Sequence, residues 1–245
     1  MSGSVIHWFR FSSPATFYPL AGRLIPIFWT LAALLGAAGL WIGFFVAPTD
    51  ATQGEGYRII FVHVPVSWMS MFIYLVMATW AGIGLVFNTR LSSMMAQSLA
   101  PTGALMAFLS LWTGAFWGKP MWGTWWVWDA RLTSVFVLFL FYLAYMALRA
   151  AIDDEAKGAR AAAILALVGL VNVPVVHWSV EWWNTLHQGR TVFAAGGSRA
   201  ASVFLVPLFL MSLSYMAGFG SLWLVRIRGE VWRRRAAAAE ARLAR

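Results

Sequence analysis

Residues 117–134 read W-G-K-P-M-W-G-T-W-W-V-W-D-A-R-L-T-S. Five of the chain's 16 tryptophans lie between Trp117 and Trp128, with one carboxylate, Asp129, directly behind them. Gly118, Pro120 and Gly123 predict an irregular first part. From about Thr124 a helix is expected, because the apolar run 132–148 that follows has to cross a membrane as a helix. On such a helix Trp122, Trp126 and Asp129 share one face, and Trp125 and Trp128 form a neighbouring ridge. The product is an aromatic platform ending in an acid and a base, Asp129 and Arg131. Two readings fit it: an interfacial tryptophan belt, and a platform for a flat ligand, which aromatic planes suit. A belt is spread over all helix ends, whereas this cluster is concentrated in one loop.

The composition around this stretch places it in a membrane. The chain is 61% hydrophobic and 11% charged, with a mean hydropathy of +0.71. These values and the long apolar runs exclude an ordinary soluble domain and indicate an all-α, polytopic membrane protein. There is no cysteine, so a disulfide, a thiolate metal site and a C-x-x-C-H haem attachment are all excluded. The net charge of +9 suggests nucleic acid until the charges are mapped. Seven of the 18 basic residues follow Val225, in a tail that also holds Glu230 and Glu240. That pattern fits a cytoplasmic tail drawn to anionic lipid headgroups rather than a nucleic-acid site.

Six spans are expected, at about 24–46, 60–87, 95–116, 132–148, 161–178 and 203–225. The first run is too long for the apolar region of a signal peptide, so it should remain as an anchor. The expected organisation is a cytoplasmic segment 1–23, a membrane domain 24–225 and a basic tail 226–245. Pro65 fits a first helical turn, which puts His63 at the mouth of the second span. Pro174 predicts a kink in the fifth. Six spans place both termini on one side. Lys and Arg number 13 on the side of the termini and 5 on the other, so the termini are expected in the cytoplasm. Without the tail the count is 6 against 5.

This topology gathers His63, the tryptophan cluster and His187 on one membrane face, the outer one. Imidazole is a good axial ligand for haem iron, tryptophan faces can stack on a porphyrin, and arginines can hold its propionates. A histidine at a helix mouth is also a common structural residue, so both readings stand for each. His177 lies inside the fifth span, with Glu181 one turn further on. A buried ionisable residue there is a functional candidate, but a structural His177–Glu181 pair is the favoured reading. Asp129 suits a cap for the fourth span, an arginine partner or a tuning group for the ligand site.

The string W-G-T-W-W-V-W-D-A-R-L-T-S resembles the tryptophan-rich "WWD" motif of the haem-handling proteins of cytochrome c maturation. The strings H-V-P-V-S-W-M and V-E-W-W-N-T-L-H-Q-G are similar to those of the family's small six-span branch, and the resemblance covers nearly the whole chain. It implies that His63 and His187 are the two axial ligands of haem iron. It also implies that Trp117, Trp122, Trp125, Trp126, Trp128, Asp129 and Arg131 belong to the haem-binding loop. The cargo would be haem b, held without a covalent bond and presented at the outer face of the bacterial inner membrane. The implied partners are a membrane-anchored periplasmic haem chaperone (cytochrome c maturation protein E), ATP-binding-cassette transporter subunits, a small single-span subunit and membrane lipid. The implied role is haem transport, not catalysis. Two other classes remain open: an electron-transfer subunit with haem b or quinone, and a small-molecule permease. The first usually places histidine pairs within its spans, and the second is expected to carry more mid-membrane polar residues than Asn172 and His177.

Overall fold

The computed structural model describes residues 13–185, 187 and 202–243. His7, Arg10, Arg190, Arg199 and the Gly/Ser-rich stretch before Ser202 lie outside these residues. The described chain is helical: α1 Pro14–Trp41, α2 Ile60–Phe87, α3 Arg90–Trp122, α4 Ala130–Ala151, α5 Glu155–Gly169, α6 Asn172–Trp182 and α7 Ser202–Leu243. They make six spans long and apolar enough to cross a membrane, α5 and α6 together forming the fifth.

Local chemistry sets the ends of these helices, and several differ from the expected positions. Span one starts at Pro14 rather than at residue 24: Ser13 accepts from the Thr16 amide at 3.4 Å, and Pro14 takes N1, where its missing N–H costs nothing. Its far end loosens into a π turn, Ile42–Val46, and Arg58 gathers the Gly43 and Ala47 carbonyls there at 2.6 and 3.0 Å. A 3₁₀ turn, Glu55–Ile59, runs straight into α2. Pro65 therefore sits inside a continuous helical path, and His63 lies within the helix, 6% exposed, rather than at an open mouth. The fifth span breaks outright instead of kinking. It interrupts at Leu170–Val171, and Pro174 falls in the first turn of α6, where proline is tolerated. Asn172 Nδ2 ties the break to α4 by donating to Ser134 O at 2.9 Å. The sixth span, α7, does not stop at residue 225; it runs unbroken to Leu243 and carries tail arginines with it.

In lipid the helices gain little from apolar burial against each other, so close packing and buried hydrogen bonds carry the association. The core lies among α2, α3, α4 and α5, around the fully buried Tyr74, Tyr142 and Tyr145. Tyr142 crosses directly over Gly103, where any Cβ would collide with the ring, and its hydroxyl donates to Ser70 O at 2.8 Å. Helix α1 lies at the edge along α7, joined by Ser214 Oγ donating to Ala32 O at 2.8 Å and Ser221 Oγ to Ile25 O at 3.2 Å. Only 6% of its apolar window is buried against 56% for α2, so α1 is the lipid-facing span.

The two ends of the bundle differ in chemistry. One end carries residues 47–54, the tryptophan stretch and His187. The other carries an ion cluster: Glu155 pairs with Arg234 and, at 3.9 Å, with Arg149, while Glu230 accepts from Arg233 and Arg234 at 2.6 Å. Arg149 also reaches Ser93 and Gln97 on α3, at 3.2 and 2.8 Å.

Candidate functional site

The tryptophan stretch is built differently from the expected helix. Helix α3 continues through Gly118 and Pro120 to Trp122, because proline near a membrane helix end is tolerated when neighbours satisfy the released carbonyl. It stops at Gly123, whose φ of +77° is the left-handed conformation that glycine adopts without strain; the Gly123 amide donates to Lys119 O at 3.0 Å. Residues 124–129 are not helical. Thr124 folds this segment locally, its Oγ1 donating to Trp126 O at 2.9 Å. Asp129 then caps α4, with Oδ1 accepting from the Leu132 amide at 2.7 Å. Trp122, Trp126 and Asp129 therefore do not share a helix face. Two tryptophans, Trp117 and Trp122, belong to the last turns of α3; Trp125, Trp126 and Trp128 belong to the connecting segment.

These pieces line a cavity that is partly open to solvent and predominantly apolar and aromatic. Its floor is α2 and α3: His63, Ser67 and Met71 one turn apart, facing Ser110, Gly114 and Trp117. Its walls are Trp122, the 124–127 segment, Arg131 and Val135 of α4, Val176 of α6, and His187. Of the residues singled out in the sequence, His63, His187, Trp117, Trp122, Trp125, Trp126 and Arg131 line this space. Trp128 and Asp129 do not. Trp128 is 75% exposed and packs edge-on against Trp126 and Phe136, with centroids 5.3 and 6.4 Å away. Asp129 is occupied at the start of α4.

The two histidines meet although 124 positions of sequence separate them. Their ring centroids are 6.1 Å apart and their planes differ by 30°. Trp117 and Trp122 stand beside them: Trp117 is 5.6 Å from His63 and 6.4 Å from His187, and Trp122 is 6.4 Å from His187. Trp117 is itself anchored by Nε1 donating to Gln53 Oε1 at 3.2 Å. Arg131 donates from Nη1 to Val176 O at 2.6 Å, which leaves most of its five N–H donors for other partners. Among the described residues no group of three or more His, Cys, Asp and Glu gathers, and the imidazoles lining this cavity are those of His63 and His187.

His177 is not a buried group of the fifth span. Helix α6 packs inward through Val173, Val176 and Ser179, which turns His177 and Glu181 to the exposed side. His177 lies edge-on to Trp178, centroids 4.9 Å apart, and does not line the cavity.

Several residues of the site carried no obvious sequence signal. Thr113 Oγ1 is 2.9 Å from His63 Nδ1, Ser67 and Ser110 share a hydroxyl bond of 2.7 Å one turn deeper, and a Cβ on Gly114 would come within 3.1 Å of His63 Cε1. A usable pattern was present. Ser110, Thr113, Gly114 and Trp117 recur at helical spacing within an apolar span, as do His63, Ser67 and Ser70, and matched polar stripes on consecutive spans mark facing surfaces.

Known sequences resemble this one along most of its length. The family profile described as "Heme exporter protein C" matches residues 7–242. A Heme exporter protein C of Bradyrhizobium diazoefficiens is 45% identical over 225 residues, 91% of this chain and 85% of the relative. One from Haemophilus influenzae is 44% identical over 221 residues, 90% of each. A "putative cytochrome c biosynthesis ccmC-like mitochondrial protein" of Marchantia polymorpha is 42% identical over 205 residues, 84% of this chain and 85% of the relative.

Proposed function

The chain belongs to the Heme exporter protein C family, and from that membership we propose that it handles haem for cytochrome c maturation, holding the iron between His63 and His187. The observation that carries this reading is the spacing of the two rings. With metal–nitrogen bonds of about 2 Å on each side and the ring's own half-width added, two imidazoles trans on one metal have centroids about 6 Å apart. The observed separation is 6.1 Å. The cavity's apolar aromatic lining suits a porphyrin, and Trp117 and Trp122 stand beside the imidazoles. Arg131 keeps one N–H on Val176 O and offers the rest of its guanidinium to a propionate. Since the chain has no cysteine, the haem b cargo is held by coordination and packing alone, which leaves it transferable. Exposed Trp128 and Trp125, at the rim, are the surface over which a periplasmic haem chaperone takes the cargo from the outer face of the inner membrane. Transporter and single-span partners of the maturation system complete the assembly.

The test uses the iron. Wild-type protein is expected to carry six-coordinate, low-spin haem. His63→Ala and His187→Ala each lose one axial bond and most of the haem, and added imidazole restores part of the low-spin spectrum by filling the open position. His177→Ala keeps its haem, and imidazole does not change it. Imidazole rescue of His177→Ala without rescue of His187→Ala would place the iron on the fifth span and overturn the assignment.

A further inference from the structure

We infer that Thr113 is a positioning residue for the iron site: its hydroxyl fixes the tautomer of His63, keeping the proton on Nδ1 and the Nε2 lone pair available to a metal. The inference rests on the reading of His63 as a ligand and extends it to a residue on a different helix. Thr113 Oγ1 has one proton to give. It stands 2.7 Å from Leu109 O, one turn back on α3, and 3.4 Å from Ser110 O. The shorter contact takes the proton. With it committed, the 2.9 Å contact to His63 is a hydrogen bond only if Nδ1 is the donor. A neutral imidazole has one N–H, so Nε2 is then the unprotonated nitrogen. The opposite assignment would leave two acceptors, Nδ1 and Thr113 Oγ1, facing each other at 2.9 Å with no proton between them.

The surroundings hold this arrangement in place. His63 is 6% exposed, so bulk water does not compete for Nδ1. Its own carbonyl accepts from Ser67 Oγ at 2.8 Å, and Ser67 in turn accepts from Ser110 of α3 at 2.7 Å, since its single proton is already spent on that carbonyl. Two hydroxyl bridges one turn apart thus lock the start of α2 to α3, one on the ring and one on the backbone beneath it. Gly114 lets the ring lie close against α3, because a Cβ there would meet Cε1 at 3.1 Å. A metal-bound histidine whose second nitrogen donates to an acceptor is oriented by that bond and becomes a better electron donor. Such donation favours ferric over ferrous iron, so Thr113 holds the potential of a bound haem down.

The experiment compares Thr113→Val, which keeps the shape and loses the hydroxyl, with Thr113→Ser, which keeps the hydroxyl. Nitrogen-15 spectra of haem-free, histidine-labelled full-length protein read the tautomer directly. Redox titration and haem retention are then measured on loaded protein. His63 is expected to be protonated at Nδ1 in wild type and in Thr113→Ser, and to mix tautomers in Thr113→Val. Loaded Thr113→Val is expected to have a higher midpoint potential and roughly ten- to a hundredfold weaker haem retention, with Thr113→Ser near wild type. A valine variant that merely loosened the helix pair would lower retention and leave the potential of the remaining loaded protein unchanged, and that result overturns the inference. So does an Nε2-protonated His63 in the wild type. Failure of the underlying ligand reading has its own signature: His63→Ala would retain a low-spin spectrum that imidazole does not alter, whatever the Thr113 variants do.

Discussion

Asp129 divides its two oxygens between different circumstances: Oδ1 accepts the Leu132 amide at 2.7 Å, while Oδ2 is buried with no hydrogen-bond partner among the described residues. The cap is the part of its behaviour that the sequence made readable, because an acid directly before an apolar run is a standard helix start. Its absence from the cavity was not readable, since that depends on where the preceding segment turns. Asparagine caps about as well as aspartate, and alanine loses about 1 kcal/mol at such a position. Asp129→Ala is therefore expected to lower the thermal unfolding midpoint in detergent, with Asp129→Asn much nearer wild type. Equal losses in the two variants would mean that the charge and not the cap matters. The histidines show the same division. His63 and His187 were legible as a pair from topology, since the four crossings between them, an even number, return the chain to the same face. Thr113 was not, because a threonine in an apolar helix ordinarily bonds only its own backbone, and its contact with His63 depends on how α2 packs on α3.

The tryptophan segment is the element where sequence and structure part most clearly. The apolar run after Leu132 favoured extending α4 backwards, yet Gly123 and Asp129 already carried the opposite instructions: a glycine that ends one helix and a cap that begins the next. Between them W-W-V-W is rich in aromatic and β-branched residues, which are weak helix formers, so nothing propagates a helix across the gap. The break in the fifth span follows similar logic, with the proline marking the start of α6 rather than a bend within one helix. Gly123 is the position on which the segment's path depends. Its φ of +77° strains other residues, while a Cβ there would meet nothing within 4 Å, so backbone conformation alone sets the cost. Gly123→Ala is expected to lose about 1–2 kcal/mol and to reduce haem retention as Trp125 and Trp126 shift, with the protein still in the membrane. Asparagine tolerates the left-handed region better, so Gly123→Asn should lie between alanine and wild type. Thermal unfolding and haem content measured on the same preparations check both, and an alanine variant equal to wild type in each would show that the turn is not held by this residue.

At the scale of the molecule, six spans were countable from hydropathy alone, and the count survived although the first span starts at Pro14 instead of residue 24 and the last ends at Leu243 instead of residue 225. Their arrangement was not countable: α1 sits on α7 at the lipid-facing edge while α2 to α5 make the core, because small residues and interhelical hydroxyls choose partners that a hydropathy profile does not distinguish. Orientation is the remaining question, and the bundle's asymmetry bears on it. The end opposite the cavity holds the ion cluster of Arg149, Glu155, Glu230 and Arg234, and Arg228 stacks over Tyr18 at 4.3 Å. Helix α7 also carries Arg226, Arg233, Arg235 and Arg242 at this end. Basic residues beside a span are retained on the cytoplasmic side, and an anionic leaflet attracts them by roughly 1 kcal/mol each. The expected topology therefore has the arginine-rich end in the cytoplasm and the histidine cavity outside. Reporter fusions at Gln53 and Ala194 should give the outer signal, and fusions at Asp154 and Arg245 the cytoplasmic one; Ala194 and Arg245 lie outside the described residues, and the crossings on either side determine their expected side. The decisive site is Gln53, because it touches Trp117 of the cavity directly. A cytoplasmic signal at Gln53 with an outer signal at Asp154 would invert the bundle. The cavity would then face the cytoplasm, and delivery to a periplasmic chaperone by the route proposed here would be impossible.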